Sequence, residues 1–427
     1  MPAVETSPTS DTLTATEVRH RLAETGVDAV AELALRLVRA ASPNPPGSTR
    51  EATDVAAAIL RELVPDAEIV RHETGPGIVN LAARIHGSAP GRRVIFNGHL
   101  DTYPVGALED WTVEPSGVLD GDRLYGRGAS DMKGGIAAAI LAFSALAEVR
   151  SHWCGELVLT LAGDEETMGP LGTHWLMDNL PWATGDAVLI ADAGSPQVLR
   201  FGEKGFLWVE VVASGRPAHG AHVHRGDNAI DRLRAALDRL SRLPDLAFDT
   251  PPAVSEAIAA SKPISEPLAG AGEAEVLARC TVNIGQIQGG TSPNLVPSRA
   301  RAALDIRIPV GLSIKTVEEA LARAFDEPGL SYQVLRRFAP NHTDPSHPMV
   351  VTCAAAARAV TGAPVAVNMR VGGSDARWFR MAGLPTVVYG PTPHGMGGPD
   401  EFVLVSELEQ VARVHALTAF DLLQDAS

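Results

Sequence analysis

The chain has 427 residues, 45% hydrophobic and 20% charged, with a formal net charge of −15. That length exceeds one typical core and predicts two domains. The acidic balance leaves no basic surplus to neutralise phosphates, which excludes nucleic acid as a partner.

Taken in chain order, residues 1–16 are rich in Ser, Thr and Pro and read as a mobile tail. They carry neither a basic start nor an apolar core, so no signal peptide is predicted. No run approaches the length of a membrane span, and the expected location is the cytoplasm, with no membrane partner. Cys154, Cys280 and Cys353 are odd in number and far apart, which argues against a disulfide framework. Helical spacing of apolar residues predicts helices over 27–40 and 51–63, separated by the breaker S-P-N-P-P-G at 42–47. Strand-like runs follow at 67–71, 78–85 and 93–97. The alanine-rich stretch 134–149 predicts a helix. The continuously apolar runs 157–161 and 187–190 predict buried strands. Strands alternating with helices define an α/β sheet covered on both faces.

The pattern changes near Gly205. A strand at 206–213, a helix at 228–240, strands at 282–285 and 301–308, a helix at 314–325 and a strand at 330–336 follow in turn. That βαββαβ order is the ferredoxin-like split pattern. The Pro- and Ala-rich segment 243–278 interrupts it and takes no assignment. From about residue 340 the α/β character returns, with a helix at 349–360, a segment at 375–382, a strand at 386–389 and a final helix from 406. The expected organisation is a tail (1–16), an α/β domain (17–204 and 338–427) and an inserted α+β domain (205–337).

Three stretches of the α/β part end apolar runs or glycine turns in polar residues: V-I-F-N-G-H-L-D-T at 94–102, R-G-A-S-D-M-K-G-G at 127–135 and L-A-G-D-E-E at 161–166. A strand end presents a side chain with little freedom, and such ends converge at one edge of an open α/β sheet. Imidazoles and carboxylates without thiolates suit a divalent zinc ion. His99 and Asp101 lie two apart on a strand, so His99 can bind metal while Asp101 holds its other ring nitrogen. Asp131 follows a glycine turn, from which its two oxygens can bridge two ions. Glu165 and Glu166 are adjacent, so one can ligate while the other takes a proton from water. Asp192 ends the run V-L-I-A, and His394 lies in the loop Y-G-P-T-P-H-G-M-G-G. Singly these are weak signals, since Asp131 alone reads as a helix cap and the glutamates as a solvated turn. Together they supply the ligand count for two ions.

These motifs resemble the di-zinc metallopeptidases that include acetylornithine deacetylase, succinyl-diaminopimelate desuccinylase, aminoacylase and glutamate carboxypeptidase. The likeness runs from about Val27 to the C-terminus. It implies a zinc-exopeptidase-like catalytic domain with an inserted ferredoxin-like dimerisation domain, and hence a homodimer. It also implies two Zn2+ per subunit, with Co2+ or Mn2+ as substitutes. One ion would be held by His99, Asp131 and Asp192, the other by Asp131, Glu166 and His394. Asp101 would orient His99, and Glu165 would be the general base.

In the inserted domain, His219, His222 and His224 have the spacing of a small metal site, against which solvated loop histidines are the stronger reading. The resemblance selects His219 as an oxyanion donor to the neighbouring subunit's site, although Val223 replaces the usual proline. It also assigns Asn294 and Arg307 to a substrate carboxylate, for which the arginine fork is suited. Gly373 and Ser374 offer further donors. Residues 395–399 lengthen the loop between His394 and the acidic Asp400-Glu401. The expected activity is hydrolysis of an amide next to a free carboxylate, in a small peptide or N-acyl amino acid. Within the family it resembles, Asp rather than Glu at position 192 implies an exopeptidase over a deacylase of acetylornithine deacetylase or desuccinylase type. A catalytically inactive binding protein of the same fold is the remaining alternative.

Overall fold

The computed structural model describes residues 14–24 and 27–424. The chain groups into two compact units: Met1–Pro196 with Ala355–Gly362 and Gly390–Ser427, and Gln197–Ala354 with Ala363–Tyr389. This grouping differs from the division at 204/205 and 337/338 expected from the sequence. The reason is local. The strand Val198–Glu203 pairs with Ala366–Arg370, Asn341–His342 and Thr386–Val388, so residues on both sides of the βαββαβ segment are tied to one another.

In the first unit the strands lie in the spatial order Glu68–Gly75, Ile78–His86, Glu156–Ala162, Arg93–His99 and Ala187–Ile190. The first two junctions are antiparallel and the last two parallel, which makes a mixed sheet. Register then decides where the chemistry falls. His99 pairs with Ala162 and Asn97 with Ile190, so the Gly163–Glu166 turn and Asp192 emerge at the same edge as His99. The central strands are buried along nearly their whole length, as the continuous apolar runs predicted. Helix Gly134–Glu148 packs on these strands, and Val27–Arg39 and Val405–Gln424 pack on that helix. With its preceding turn it forms an apolar stretch, Ala129–Glu148, long enough to cross a membrane, contrary to the sequence expectation. Because 89% of its most apolar window is buried inside the fold, it is a core helix.

In the second unit the strands Thr281–Gly289, Arg299–Ile308, Gly205–Ser214 and Leu330–Phe338 form an antiparallel sheet in that order. Helices Ala229–Arg239 and Ile314–Ala324 complete the expected βαββαβ path. Alternate residues such as Leu207, Val209, Val211, Ala302, Leu304 and Ile306 face inward and share one core with Leu233, Leu237, Val317 and Leu321 of the helices. The unassigned segment contains two helices, Pro252–Ala269 and Glu273–Leu277. Of the predicted tail, residues 1–13 lie outside the described residues. Ala15 and Thr16 instead open a helix, Ala15–Ala23, through a capping box of Thr14 and Glu17.

Candidate active site

His99, Asp131 and Asp192 form the one group of three potential metal ligands among the described residues, with ligand atoms all within 4.8 Å of one another. The Nδ1–H of His99 donates to the Asp101 carbonyl at 2.9 Å, which leaves Nε2 facing Asp131 Oδ1 at 3.0 Å. A neutral imidazole would then oppose two acceptors, and a cation between them removes the conflict. Burial works against charge on His99, yet Asp101 and Asp131 hold its pKa well above the usual imidazole range. Glycines bring the three together. A Cβ on Gly135 would lie 1.9 Å from the Ala191 carbonyl oxygen, so only glycine lets helix Gly134–Glu148 start against the chain carrying Asp192. Gly128 has φ +81°, and a Cβ there would meet Thr102 at 2.4 Å. The peptide from Asp131 to Met132 is cis.

Asp101 is fully buried, and its carboxylate has closer partners than the His99 ring. Oδ1 lies 3.5 Å from His99 Nδ1, beyond the carbonyl that holds the ring. The two oxygens instead accept the backbone N–H of Glu165 at 3.1 Å and of Glu166 at 3.0 Å, and Asn44 Nδ2 at 3.0 Å. Asp101 therefore fixes the turn that carries both glutamates. Glu166 Oε1 is buried without a hydrogen-bond partner. Burial, reinforced by Asp131, pushes the Glu166 carboxyl up to about 10. An orphaned carboxylate oxygen beside other acids fits a second cation position shared with Asp131. Tyr103 also borders this charge: burial, then Glu166, Asp131 and Glu165, raise its phenol above the ordinary range.

His394 stands outside the group of three. Its backbone exchanges hydrogen bonds with Phe402, N to O at 3.3 Å and Phe402 N to His394 O at 3.0 Å. Its ring stacks on the Phe402 ring at 4.3 Å and 1°. Burial, then Arg123, lowers its pKa, which favours the neutral ring that a metal needs. Sequence reasoning gave no role to Asn44, Tyr103, Arg127 or Glu401. Only Glu401 carried a signal, as an acid beyond the glycine-rich loop.

The remaining predicted residues lie in the second unit. The backbone pairs His219 with Leu295 and Gly220 N with Asn294 O at 2.7 Å, which brings His219 and Asn294 side by side. The rings of His219, His222 and His224 succeed one another at 6.0 and 5.9 Å, all exposed. Asn294 Oδ1 accepts from Ser292 Oγ at 2.5 Å. Arg307 directs Nε and Nη2 to Asp305 at 2.9 Å each, while its buried Nη1 has no hydrogen-bond partner. The Ser374 hydroxyl is buried and donates to Glu203 Oε2 at 2.9 Å, and Gly373 immediately precedes it in the chain.

A buried imidazole with two carboxylates at the carboxyl edge of parallel strands, and an acid pair on the adjoining turn, mark a metal-dependent hydrolase on an α/β scaffold. Comparison with known proteins agrees. The profile of peptidase family M20/M25/M40 matches residues 95–421, and the chain belongs to that family. It is 30% identical over 345 residues to a succinyl-diaminopimelate desuccinylase of Rhodospirillum centenum, covering 79% of this chain and 82% of the relative. The fold resembles that of an M20 family metallo-carboxypeptidase from Sulfolobus solfataricus, with a TM-score of 0.74 at 20% identity, covering 92% of this chain and 98% of that one. It also resembles human carnosine dipeptidase 1, with a TM-score of 0.72 at 17% identity, covering 96% and 98%. The protein is accordingly a metallohydrolase with a mixed-sheet α/β catalytic fold.

Proposed function

We propose that the protein hydrolyses an amide bond next to a free carboxylate in a small peptide or N-acyl amino acid. The observation that carries this reading is the convergence of His99, Asp131 and Asp192 within 4.8 Å, beside a glutamate turn held by Asp101. His99, Asp131 and Asp192 would hold one divalent ion, and Asp131, Glu166 and His394 a second, with zinc suited to this thiolate-free donor set. Such ions, when bound, polarise the substrate carbonyl and acidify water. Glu165, held through its own N–H, receives the proton from water and hands it to the leaving amine. The free Nη1 of Arg307 supports a role in holding the substrate carboxylate, with Asn294 and Gly373 nearby in the proposal. The hydroxyl of Ser374 is engaged by Glu203, so Ser374 enters the proposal through its backbone. We further infer a homodimer in which His219 stabilises the oxyanion in the partner's site.

A second reading, an N-succinyl amino acid deacylase, is favoured by the 30% identity to desuccinylases. One experiment addresses both. Zinc-loaded protein is offered dipeptides, N-acetyl and N-succinyl amino acids, and the C-terminal amide of each. Hydrolysis of a carboxylate-bearing compound but not of its amide is expected, and preference for the N-succinyl set would select the second reading. No turnover of any compound by protein shown to hold two ions would overturn the proposal.

A further inference from the structure

Arg127 and Glu401 form a buried ion pair beside the proposed metal centre, exposed by only 6% and 1%. The other oxygen of Glu401, Oε1, accepts from Ser130 N and Oγ at 3.0 Å each and from Asp131 N at 3.3 Å. Its backbone carbonyl accepts from Gly126 N at 2.9 Å. One carboxylate thus grips the amides that carry Asp131. Arg127 in turn donates through Nη2 to the carbonyls of Gly397 at 3.1 Å and Gly398 at 3.0 Å, and through Nε to Pro104 at 3.2 Å. The residue after Glu401 is Phe402, which holds His394 by two backbone hydrogen bonds and a stacked ring. The same short stretch therefore reaches Asp131 in one direction and His394 in the other.

We propose that the Arg127–Glu401 pair is a positioning device that sets Asp131 and His394 relative to each other, and so fixes the spacing of the two cation positions. The inference rests on the two-ion reading above. Neither side chain is a ligand: Glu401 is turned onto backbone amides and its charge is matched by Arg127. The glycine-rich lengthening at 395–399 is thereby explained, because it exposes the two carbonyls that complete the guanidinium fork. A lysine cannot reproduce that fork.

The test uses full-length protein and zinc titration against a chromophoric chelator, which yields separate dissociation constants for each ion. Glu401→Ala is expected to weaken zinc binding by roughly 10–100-fold, as loss of a residue that orients metal ligands typically does. Glu401→Gln, which keeps one acceptor oxygen for Ser130 and Asp131, is expected to lose less. Arg127→Lys is expected to resemble Glu401→Gln, and both should alter the absorption spectrum of the cobalt-substituted protein. Lower thermal stability with unchanged zinc constants and an unchanged cobalt spectrum would show a merely structural pair and overturn the proposal. If Glu401→Ala does not fold, unchanged constants in both milder variants would do the same. A wild-type protein that takes up fewer than two ions would instead refute the two-ion reading, which separates the two failures.

Discussion

The geometry around Asp101 makes a prediction that departs from an imidazole-orienting role. In Asp101→Asn one carboxylate oxygen becomes an NH2, which cannot accept a hydrogen bond. Because Oδ1 serves Glu165 N and Oδ2 serves Glu166 N, either orientation of the amide leaves one of those two N–H groups facing a donor. A hydrogen bond to a charged acceptor contributes about 1.5–3 kcal/mol. If the loss falls on the placement of Glu165 in the transition state, kcat should fall roughly 10- to 150-fold. The bond from His99 Nδ1 runs to the Asp101 backbone carbonyl at 2.9 Å and survives the substitution, so zinc affinity at the position built on His99, Asp131 and Asp192 should change much less than kcat. The assay is kcat at saturating zinc, alongside zinc constants from chelator competition. Weakened zinc binding with wild-type kcat once zinc is saturating would refute this reasoning, and would mean that the carboxylate acts on His99 across the 3.5 Å separation.

Other outcomes follow from the same structure. Glu165→Gln should keep both ions but lose roughly 10²–10⁴ in turnover, whereas Glu166→Gln should lose ion occupancy by metal analysis. Arg307→Ala should raise KM for substrates with a free carboxylate and spare their amides, because only Nη1 is left unused by Asp305; equal effects on both would make Arg307 structural. Glu273→Ala should destabilise the fold by about 3–5 kcal/mol in urea unfolding, because it strands the buried Arg200 guanidinium, and replacing both residues with Met should restore much of that loss. Mixing Glu165→Gln and His219→Ala chains under subunit exchange should return about a quarter of wild-type activity if His219 serves the partner's site. No recovery despite demonstrated exchange would place it elsewhere.

The part of the site that could be read in the sequence is the part set by strand ends. His99, Glu165, Glu166 and Asp192 each follow an apolar run whose length and burial dictate where it stops, and parallel register carries them to one edge. Asp131 was legible through its glycines, which the close approach to Ala191 requires. The supporting residues were not legible, because their roles depend on which backbone group they meet. Arg127 and Glu401 lie 274 positions apart, and no local pattern says that one carboxylate will find the amides of Ser130 and Asp131. Asp101 shows the same limit at short range. Its spacing places it beside His99, but whether its carbonyl or its carboxylate holds the imidazole depends on where the Glu165–Glu166 turn comes to rest.

The segment 243–278 was opaque for a different reason. Helix Pro252–Ala269 contains Pro263 and Pro267, which ordinarily end a helix. Its buried positions are Val254, Ile258, Ser261 and Ser265, a stripe with helical spacing. The prolines lie across from that stripe and are exposed, as is Ala259. The carbonyls of Ala259 and Pro263, deprived of their i+4 N–H partners, therefore face the side where water can serve them. Half of the buried stripe is serine, so an apolar period finds only Val254 and Ile258. Those hydroxyls have partners: Ser261 donates to the Ile258 carbonyl at 2.8 Å, and Ser265 joins the network of Glu273, Asn368 and Arg200. Arg200 Nη1 reaches Glu273 at 3.0 Å and the Met369 carbonyl at 2.7 Å. A helix whose inner face is built to meet a buried guanidinium loses the hydrophobic signature by which a helix is recognised, and its prolines, harmless on the wet side, complete the disguise.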